Sequence, residues 1–221
     1  MRPLLLSTAC FPPARYVAAC LQAEQIVIEQ HETWPKQTCR NHYEIAGPNG
    51  RQKLTVPVSK PFGNHTQTKD VRITHDLPWQ KIHWRSAETA YNRSPYLLFY
   101  EDRFRRFFER RYEFLIDFNA EILAEVLGIL GAAPKVTSTS GYVRNPEEVH
   151  DLRETLSAKK PDPGIQFPPY TQPFTEQYGF LANLSVLDVI CCLGPDVKGY
   201  LEEVAKASLN TKEPASGTPR L

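Results

Sequence analysis

The sequence predicts an α/β fold, in which a mixed sheet begins with a βαβ unit, gains an antiparallel hairpin and packs against a helical C-terminal half. Three observations lead to this prediction. An apolar run, a short helical stretch and a β-branched run follow one another at the start of the chain. Two hydrophobic stretches flank the turn sequence Gly-Pro-Asn-Gly at residues 47–50, and helical periodicity dominates residues 77–131.

The βαβ unit is the first predicted feature along the chain. Residues 4–8 form a largely apolar strand, of the kind that is covered on both faces of a sheet. A helix begins after Pro12 and Pro13, because proline is tolerated in the first helical turn. Residues 25–29 form the second strand. Because one short crossover joins the two strands, we expect them to be parallel neighbours.

The later elements are predicted from alternation, helical period and turn residues. The hairpin pairs residues 39–45 with residues 54–58, since the turn between them contains residues able to take positive φ. Ser94 and Pro95 are typical of a helix start. The remaining predictions are strands at 71–75 and 136–140 and helices at 76–93, 96–130 (one helix or two), 147–156, 183–193 and 197–208.

The domain organisation follows from these elements. Residues 1–209 are expected to form a single α/β domain with a helical subdomain at about 77–131, and residues 210–221 a flexible tail. Between the predicted helices at 147–156 and 183–193, residues 157–179 form a loop rich in proline and aromatic residues. A loop this long inside a compact domain is typically a lid or a binding segment.

The composition excludes several classes of protein. Lys plus Arg is 26 against 25 for Asp plus Glu, so no overall positive field favours nucleic acid as a partner. No stretch approaches the ~18 apolar residues of a membrane span, and the apolar start is too short for a signal peptide. Five cysteines without a CxxC pair indicate a reducing compartment, so we expect a cytoplasmic protein.

A dense set of polar residues follows the second strand. Gln30, His31, Lys36, Arg40 and Asn41 lie where an open α/β sheet places ligands, and two cations suit a phosphate or carboxylate. The alternative is a hairpin edge protected by charge against aggregation. The spacing of the histidines matches no metal site, and the sequence predicts no metal and no cofactor.

Three polar residues fall on apolar helical faces. Asn119 either ties a loop to the core or reaches a ligand. His83 shares a face with Trp79, which suits a core histidine or a catalytic base. Asp188 is either the acidic member of a capping box that begins at Ser185 or a buried catalytic carboxylate.

Two other groups are given structural interpretations. Cys10, just past the first strand, has no histidine nearby in sequence and is interpreted as a core residue more readily than as a nucleophile. Five arginines crowd residues 103–111. The pairs Glu101/Arg105 and Asp102/Arg106 are spaced four apart, which favours a solvated helical face over a phosphate clamp.

Several of these residues together resemble the WbqC-like family of bacterial proteins. The resemblance spans residues 5 to about 194 and rests on order and spacing. The matching pieces are Leu5-Leu-Ser-Thr-Ala, Phe11-Pro-Pro, Ile28-Glu-Gln-His-Glu, Lys36-Gln-Thr, Arg40-Asn41, Leu54-Thr-Val-Pro-Val, His83-Trp84, Tyr91, Ser94-Pro-Tyr, Asp117-Phe-Asn119, Tyr178-Gly-Phe-Leu, Asn183-Leu-Ser185 and Asp188.

The resemblance implies a role at surface-polysaccharide loci such as those for O-antigen, in the acylation of amino sugars. The site residues it implies are Lys36, Arg40, Asn41, His83, Asn119, Asn183 and Asp188. The chain also departs from the family pattern. It has Thr8, Cys10, His42 and Cys192 where relatives commonly have glutamine, an aromatic residue, arginine and asparagine.

Three hypotheses of function follow, of which the first two are the main ones. In the first, the protein is a transferase that N-acylates a nucleotide-linked or lipid-linked amino sugar, with His83 or Asp188 as base and Lys36 and Arg40 on the phosphates. In the second, the same cleft binds a glycan, a nucleotide sugar or a partner without catalysis. A nucleotidylyltransferase-like enzyme is a third possibility, but the chain lacks a glycine-rich phosphate loop.

Overall fold

The computed structural model describes residues 2–34, 38–156 and 165–210. The predicted flexible tail at 210–221 and the first part of the Pro/aromatic loop therefore lie mostly outside the described residues. The strands are β1 (Leu4–Ser7), β2 (Gln25–Glu29), β3 (His42–Gly47), β4 (Gly50–Thr55), β5 (Val58–Ser59), β6 (Arg72–Ile73), β7 (Lys135–Ser138) and β8 (His150–Asp151).

One helix lies between β1 and β2, and the other helices follow β6. They are α1 (Ala14–Leu21), α2 (Trp79–Tyr91), α3 (Leu97–Glu109), α4 (Leu115–Ile129), α5 (Thr175–Tyr178), α6 (Val186–Leu193) and α7 (Val197–Asn210), with short 3₁₀ turns at Gly63–His65, Thr68–Asp70 and Gly194–Asp196. None of the helices in the described ranges is long and apolar enough to cross a membrane.

A parallel sheet forms the base of the N-terminal half. Its strand order is β7-β2-β1-β8, and Leu4 pairs with Ile26 in the register between β1 and β2. β1 is buried along its whole length, as its unbroken apolar run requires. The predicted βαβ unit with parallel neighbouring strands is confirmed.

β8 corrects one sequence prediction. Residues 147–156 were expected to form a short helix, but His150–Asp151 forms a parallel strand that pairs with Leu4 and Leu5 of β1. Two residues are too few to show an alternating pattern, and the pairing is fixed by contacts distant in sequence. The backbone N–H of His150 donates to the carbonyl of Pro3, and that of Leu152 donates to the carbonyl of Leu5.

The hairpin forms where the turn sequence predicts it. β3 and β4 pair from His42 with Thr55 to Gly47 with Gly50, and Gly50 has a φ of +90°. This hairpin is a separate two-stranded sheet, as is the pair β5–β6. The α/β class with an added hairpin and a helical C-terminal half is confirmed.

The helical half resolves the question of one helix or two. α3 ends at Glu109 and α4 begins at Leu115, so residues 96–130 form two helices. Ser94 does not cap α3, because its hydroxyl donates instead to the carbonyl of Tyr91. The arginine cluster is paired with surface acids, as a solvated face predicts. Arg105 bonds to Glu101 and Glu109 four residues away on α3. Arg106 pairs with Glu125 of α4 instead of the expected Asp102.

Two apolar clusters stabilise the molecule. The smaller lies between the parallel sheet and helices α1 and α4, with residues such as Leu6, Ile26 and Leu123. The larger joins the β3–β4 hairpin to the C-terminal helices. Phe11 lies within it and contacts the rings of Tyr43, Phe104, Phe107, Phe108 and Phe118. The loop after β1 is thus packed into the helical half.

The end of α6 gives a test of this packing. Gly194 and Gly131 both follow helices with positive φ, +52° and +61°. A Cβ at Gly194 would lie 2.5 Å from the ring of Tyr96, whereas one at Gly131 would have nothing within 4 Å. We expect Gly131→Ala to cost about 1–2 kcal/mol of unfolding free energy from backbone strain alone.

The substitution Gly194→Ala should lower the unfolding free energy by ~1–3 kcal/mol more than Gly131→Ala does, because the ring of Tyr96 must move. Urea unfolding of the two variants beside the wild type measures the difference. Equal losses for the two variants would contradict the packing of Tyr96 on Gly194.

Candidate functional site

A cavity of about 470 Å³ lies among residues that follow the carboxyl ends of β1 and β8. The chain leaves β1 towards β2 on one side, while β8 pairs with β1 on the other. Such a switch in direction is where open α/β sheets bind ligands. The lining residues are Phe11, Pro13, Arg15, Tyr16, Cys39, His42, Tyr43, Glu44, Arg51, Thr155, Leu156, Ile165, Phe167, Ala182, Asn183 and Ser185.

Residues 183–186 hold one wall of the cavity through hydrogen bonds to residues 11–15. The Ser185 hydroxyl donates to the carbonyl of Phe11 at 2.9 Å. The side-chain oxygen of Asn183 accepts from the backbone N–H of Arg15 at 3.0 Å and so caps α1. Asn183 has a φ of +55°, a conformation that asparagine tolerates better than most residues. Asn183 therefore serves the structure and also faces a ligand-sized space.

Charged groups line the cavity beside aromatic walls. The Arg51 guanidinium donates to the Glu44 carboxylate at 2.8 Å and to the carbonyl of Ala182 at 2.8 Å. Arg15 donates to the carbonyl of Thr155. The Arg51–Glu44 pair is partly exposed, so water competes with it and a ligand can exchange for either partner.

His42 places an imidazole at the cavity. Burial, with a smaller contribution from Lys53, lowers the pKa of His42 to about 4. The ring is therefore neutral at pH 7, and its unprotonated nitrogen is a hydrogen-bond acceptor. With a pKa of about 4 the ring is a weak base, so it offers a ligand a hydrogen-bond acceptor.

Arg40 is bound to protein groups. Its guanidinium forms a two-point ion pair with Glu32 at 2.8 and 2.6 Å and also donates to the Ser7 hydroxyl at 2.6 Å. Both charged residues are buried. Removing one partner of such a pair costs about 3–5 kcal/mol, because the other charge stays buried and unpaired. In this arrangement Arg40 connects β1 to the segment before β3.

The other polar residues after β2 have partners too. The Gln30 amide donates to the carbonyl of Thr139, and the His31 ring contacts the Gln67 amide at 3.3 Å. The Asn41 amide donates to the carbonyl of Val56. Each contact joins neighbouring segments. Lys36 lies outside the described residues.

Asn119 lies beside Arg40. Its amide nitrogen donates to the Arg40 carbonyl at 2.8 Å, as expected of a residue that ties a loop to the core. Its amide oxygen is buried and has no hydrogen-bond partner among the described residues. Asn119 is thus bonded on one side only.

His83 is buried in an aromatic environment. Its ring packs edge-on against Trp79 and Tyr43, and its Nδ1 lies 3.2 Å from the Tyr43 hydroxyl. Burial lowers the pKa of His83 to about 4. His83 is not among the described residues that line the cavity, but Tyr43 is, so the ring lies behind the cavity wall.

Asp188 is a buried carboxylate with three donors. The Tyr91 hydroxyl donates to it at 2.9 Å, the Gln172 amide at 2.8 Å, and the Tyr170 hydroxyl also donates. Burial raises the pKa of Asp188, although these donors oppose the shift. The Ser185 hydroxyl caps α6. The backbone N–H of Ser185 donates to the backbone carbonyl of Glu44, so Asp188 does not complete a capping box with Ser185. Asp188 thus holds the described part of the Pro/aromatic loop.

A comparison with family models decides the classification. The model of the WbqC-like protein family matches residues 8–160, more than half of the chain. The chain belongs to the WbqC-like family. No curated protein and no solved structure matches it.

Within this WbqC-like chain, the residues named from the sequence fall into separate groups. Arg40 and Asn119 are in contact, and Asn183 lines the cavity. His83 and Asp188 belong to two different hydrogen-bond networks. The family match covers Arg40, His83 and Asn119, whereas Asn183 and Asp188 lie beyond its end.

Sequence reasoning did not select most of the cavity residues. Arg15, Glu44 and Arg51 lie in a helix and a hairpin whose local sequence is ordinary. In the sequence His42 stands out as a departure from the family and as a histidine without metal-site spacing. The pairing of β8 with β1 defines the switch point and locates these residues, but this pairing is a structural feature with no local sequence pattern.

The buried histidines predict an acid-sensitive fold. The ordinary pKa of histidine is 6.5, and that of His83 is about 4 in the folded chain. The unfolded state therefore binds more protons in this range, so stability is complete above pH 6.5 and falls as the pH drops towards 4. One such group accounts for on the order of 3 kcal/mol.

As the pH falls from 6.5 to 4, we expect the unfolding free energy of the His83→Gln variant to decrease less than that of the wild type. His65→Gln is the matched control, because His65 is exposed. Urea unfolding at several pH values measures the slopes. A slope unchanged by His83→Gln would show that the ring is not held neutral.

Proposed function

We propose that this WbqC-like protein is a transferase of surface-polysaccharide biosynthesis that N-acylates a nucleotide-linked or lipid-linked amino sugar bound in the cavity after β1 and β8. The observation that carries the proposal is the cavity itself. Its volume of about 470 Å³ lies within the usual range of small-molecule sites. It combines aromatic walls with paired charges at a topological switch point.

The lining suits a phosphorylated amino sugar. Phe11, Tyr43 and Phe167 offer apolar surface for a sugar ring. Arg51 offers a fork of donors for a phosphate, and Glu44 offers a carboxylate for the amine. When the ligand binds, its contacts with Arg51 and Glu44 replace the ion pair between these two residues.

The chemistry requires a neutral amine. The sugar nitrogen attacks the carbonyl carbon of an activated acyl donor, a C–N bond forms, and the bond to the leaving group breaks as the amine loses its proton. In this proposal the neutral ring of His42 accepts a hydrogen bond from the amine and orients it, and the proton passes to the leaving group. His83 acts as a positioning residue that holds Tyr43, and Asp188 positions the loop bearing Tyr170 and Gln172.

Two further residues that the sequence predicts as ligand contacts also have roles in this proposal. Asn183 is proposed to contact the sugar, and Arg40 to hold the loop before β3 in place. In this proposal the protein is cytoplasmic, which gives it access to nucleotide sugars. Its five cysteines are free and buried, as expected in a reducing compartment.

Binding without catalysis is the second candidate. One observation favours it: His83 and Asp188, the bases named from the sequence, are both buried among protein partners. A protein of this kind would present the same cavity to a glycan or a nucleotide sugar.

We expect the full chain to bind a UDP-linked amino sugar more tightly than the matching UDP-linked neutral sugar, as measured by calorimetry. Arg51→Gln should weaken binding about tenfold or more, because one charge-assisted hydrogen bond is lost. Arg105→Gln is the control, since Arg105 is an equally paired arginine on the surface of α3.

Mass spectrometry of the sugar after incubation with acyl-coenzyme A separates the two candidates. Binding with an acylated product supports the transferase, and binding without product supports the non-catalytic candidate. Absence of binding, or equal loss in both arginine variants, would contradict the cavity as the site.

A further inference from the structure

The β3–β4 hairpin presents a charged face to the cavity after β1 and β8. In an antiparallel pair, residues that lie opposite each other point to the same face of the sheet. Glu44 lies opposite Lys53, and Ala46 lies opposite Arg51. Because side chains alternate along a strand, Glu44, Arg51 and Lys53 share one face. Glu44 and Arg51 line the cavity, so Lys53 extends from the face that borders it.

The opposite face of the hairpin packs against the core. Ile45 and Leu54 belong to the larger apolar cluster, and the Gln52 amide donates to the Ser86 hydroxyl of α2. This packing fixes which residues of β4 face outwards. Lys53 is therefore held on the cavity side by the burial of its neighbours on β4.

Positive charge exceeds negative charge around the cavity. Among the described residues that line it or border it on the hairpin face, the cations are Arg15, Arg51 and Lys53, and Glu44 is the carboxylate. Lys53 helps to lower the pKa of His42, which lines the cavity, so its ammonium group lies near that ring. Such a surplus of positive charge attracts an anionic ligand.

Lys53 differs from Arg51 in its bonding. Arg51 is bound to Glu44 and to the carbonyl of Ala182, whereas Lys53 has no hydrogen bond or ion pair with a described residue. An ammonium group on a flexible stem binds phosphate as a point charge. The alternative is that Lys53 only protects the edge of the hairpin against aggregation.

We infer that Arg51 and Lys53 bind two successive phosphates, so that the amino sugar in the cavity is joined to its carrier through a diphosphate. This inference rests on the proposed function and narrows its substrate class. Alternate residues of a strand lie about 7 Å apart, a spacing that suits two linked phosphates better than one. Nucleotides and isoprenoid lipids both carry sugars through a diphosphate.

Calorimetry on the full chain compares three probes: glucosamine 1-phosphate, UDP-glucosamine and glucosamine linked to geranyl diphosphate. We expect at least one diphosphate to bind about tenfold or more tightly than the monophosphate. The diphosphate that binds more tightly identifies the carrier as a nucleotide or an isoprenoid. If neither diphosphate binds more tightly than the monophosphate, the inference is overturned.

Substitution of Lys53 tests the second phosphate contact. Lys53→Gln should weaken the tighter diphosphate about tenfold and change the affinity for glucosamine 1-phosphate less than twofold, because one charge-assisted contact is lost. Lys135→Gln is the matched control, since Lys135 is an exposed lysine on β7. An undiminished affinity for the diphosphate would leave Lys53 as an edge charge and overturn the inference. An equal loss for the monophosphate would overturn it too.

The outcome is separable from that of the proposed function. If the wild type binds none of the three probes, the cavity is not an amino-sugar site and the proposed function fails. If the wild type binds UDP-glucosamine and Arg51→Gln weakens this binding while Lys53→Gln does not, the site stands and the diphosphate inference alone fails.

Discussion

The hydrogen bonds between residues 183–186 and residues 11–15 hold the two halves of the molecule together. Leu184 and Asn183 accept from the first N–H groups of α1, and Val186 donates to the carbonyl of Pro12. The constraint extends to Phe11, whose φ of +35° is unusual for a bulky residue and is held by rings on every side. The cavity after β1 and β8 lies at this junction, so its shape depends on contacts that join the two ends of the described chain.

The ion pairs of two buried arginines also constrain the carboxyl end of the parallel sheet. Arg40 pairs with Glu32, and Arg153 pairs with Glu29 and Asp151. Each guanidinium also bonds to neutral oxygens, as a buried charge requires. These cations fix the loops after β1, β2 and β8. The groups left for ligands are the half-exposed ones at the cavity, such as Arg51 and Glu44.

Local patterns predicted the elements well, and long-range contacts explain the rest. The apolar run of β1 and the Gly-Pro-Asn-Gly turn contain enough information in a few residues to identify a strand and a hairpin. β8 has two residues and is stabilised by β1, so no local signal exists for it. For the same reason the sequence placed the site at the end of β2. The helical position of Asn119 predicted its burial, but not that Arg40 would be its partner.

A crystal structure of the full chain with a UDP-linked amino sugar would show whether the sugar binds in the cavity after β1 and β8. We expect the sugar to lie between residues 11–15 and the β3–β4 hairpin, in contact with Asn183 and Arg51. A sugar bound instead at the end of β2, beside Gln30 and His31, would contradict it.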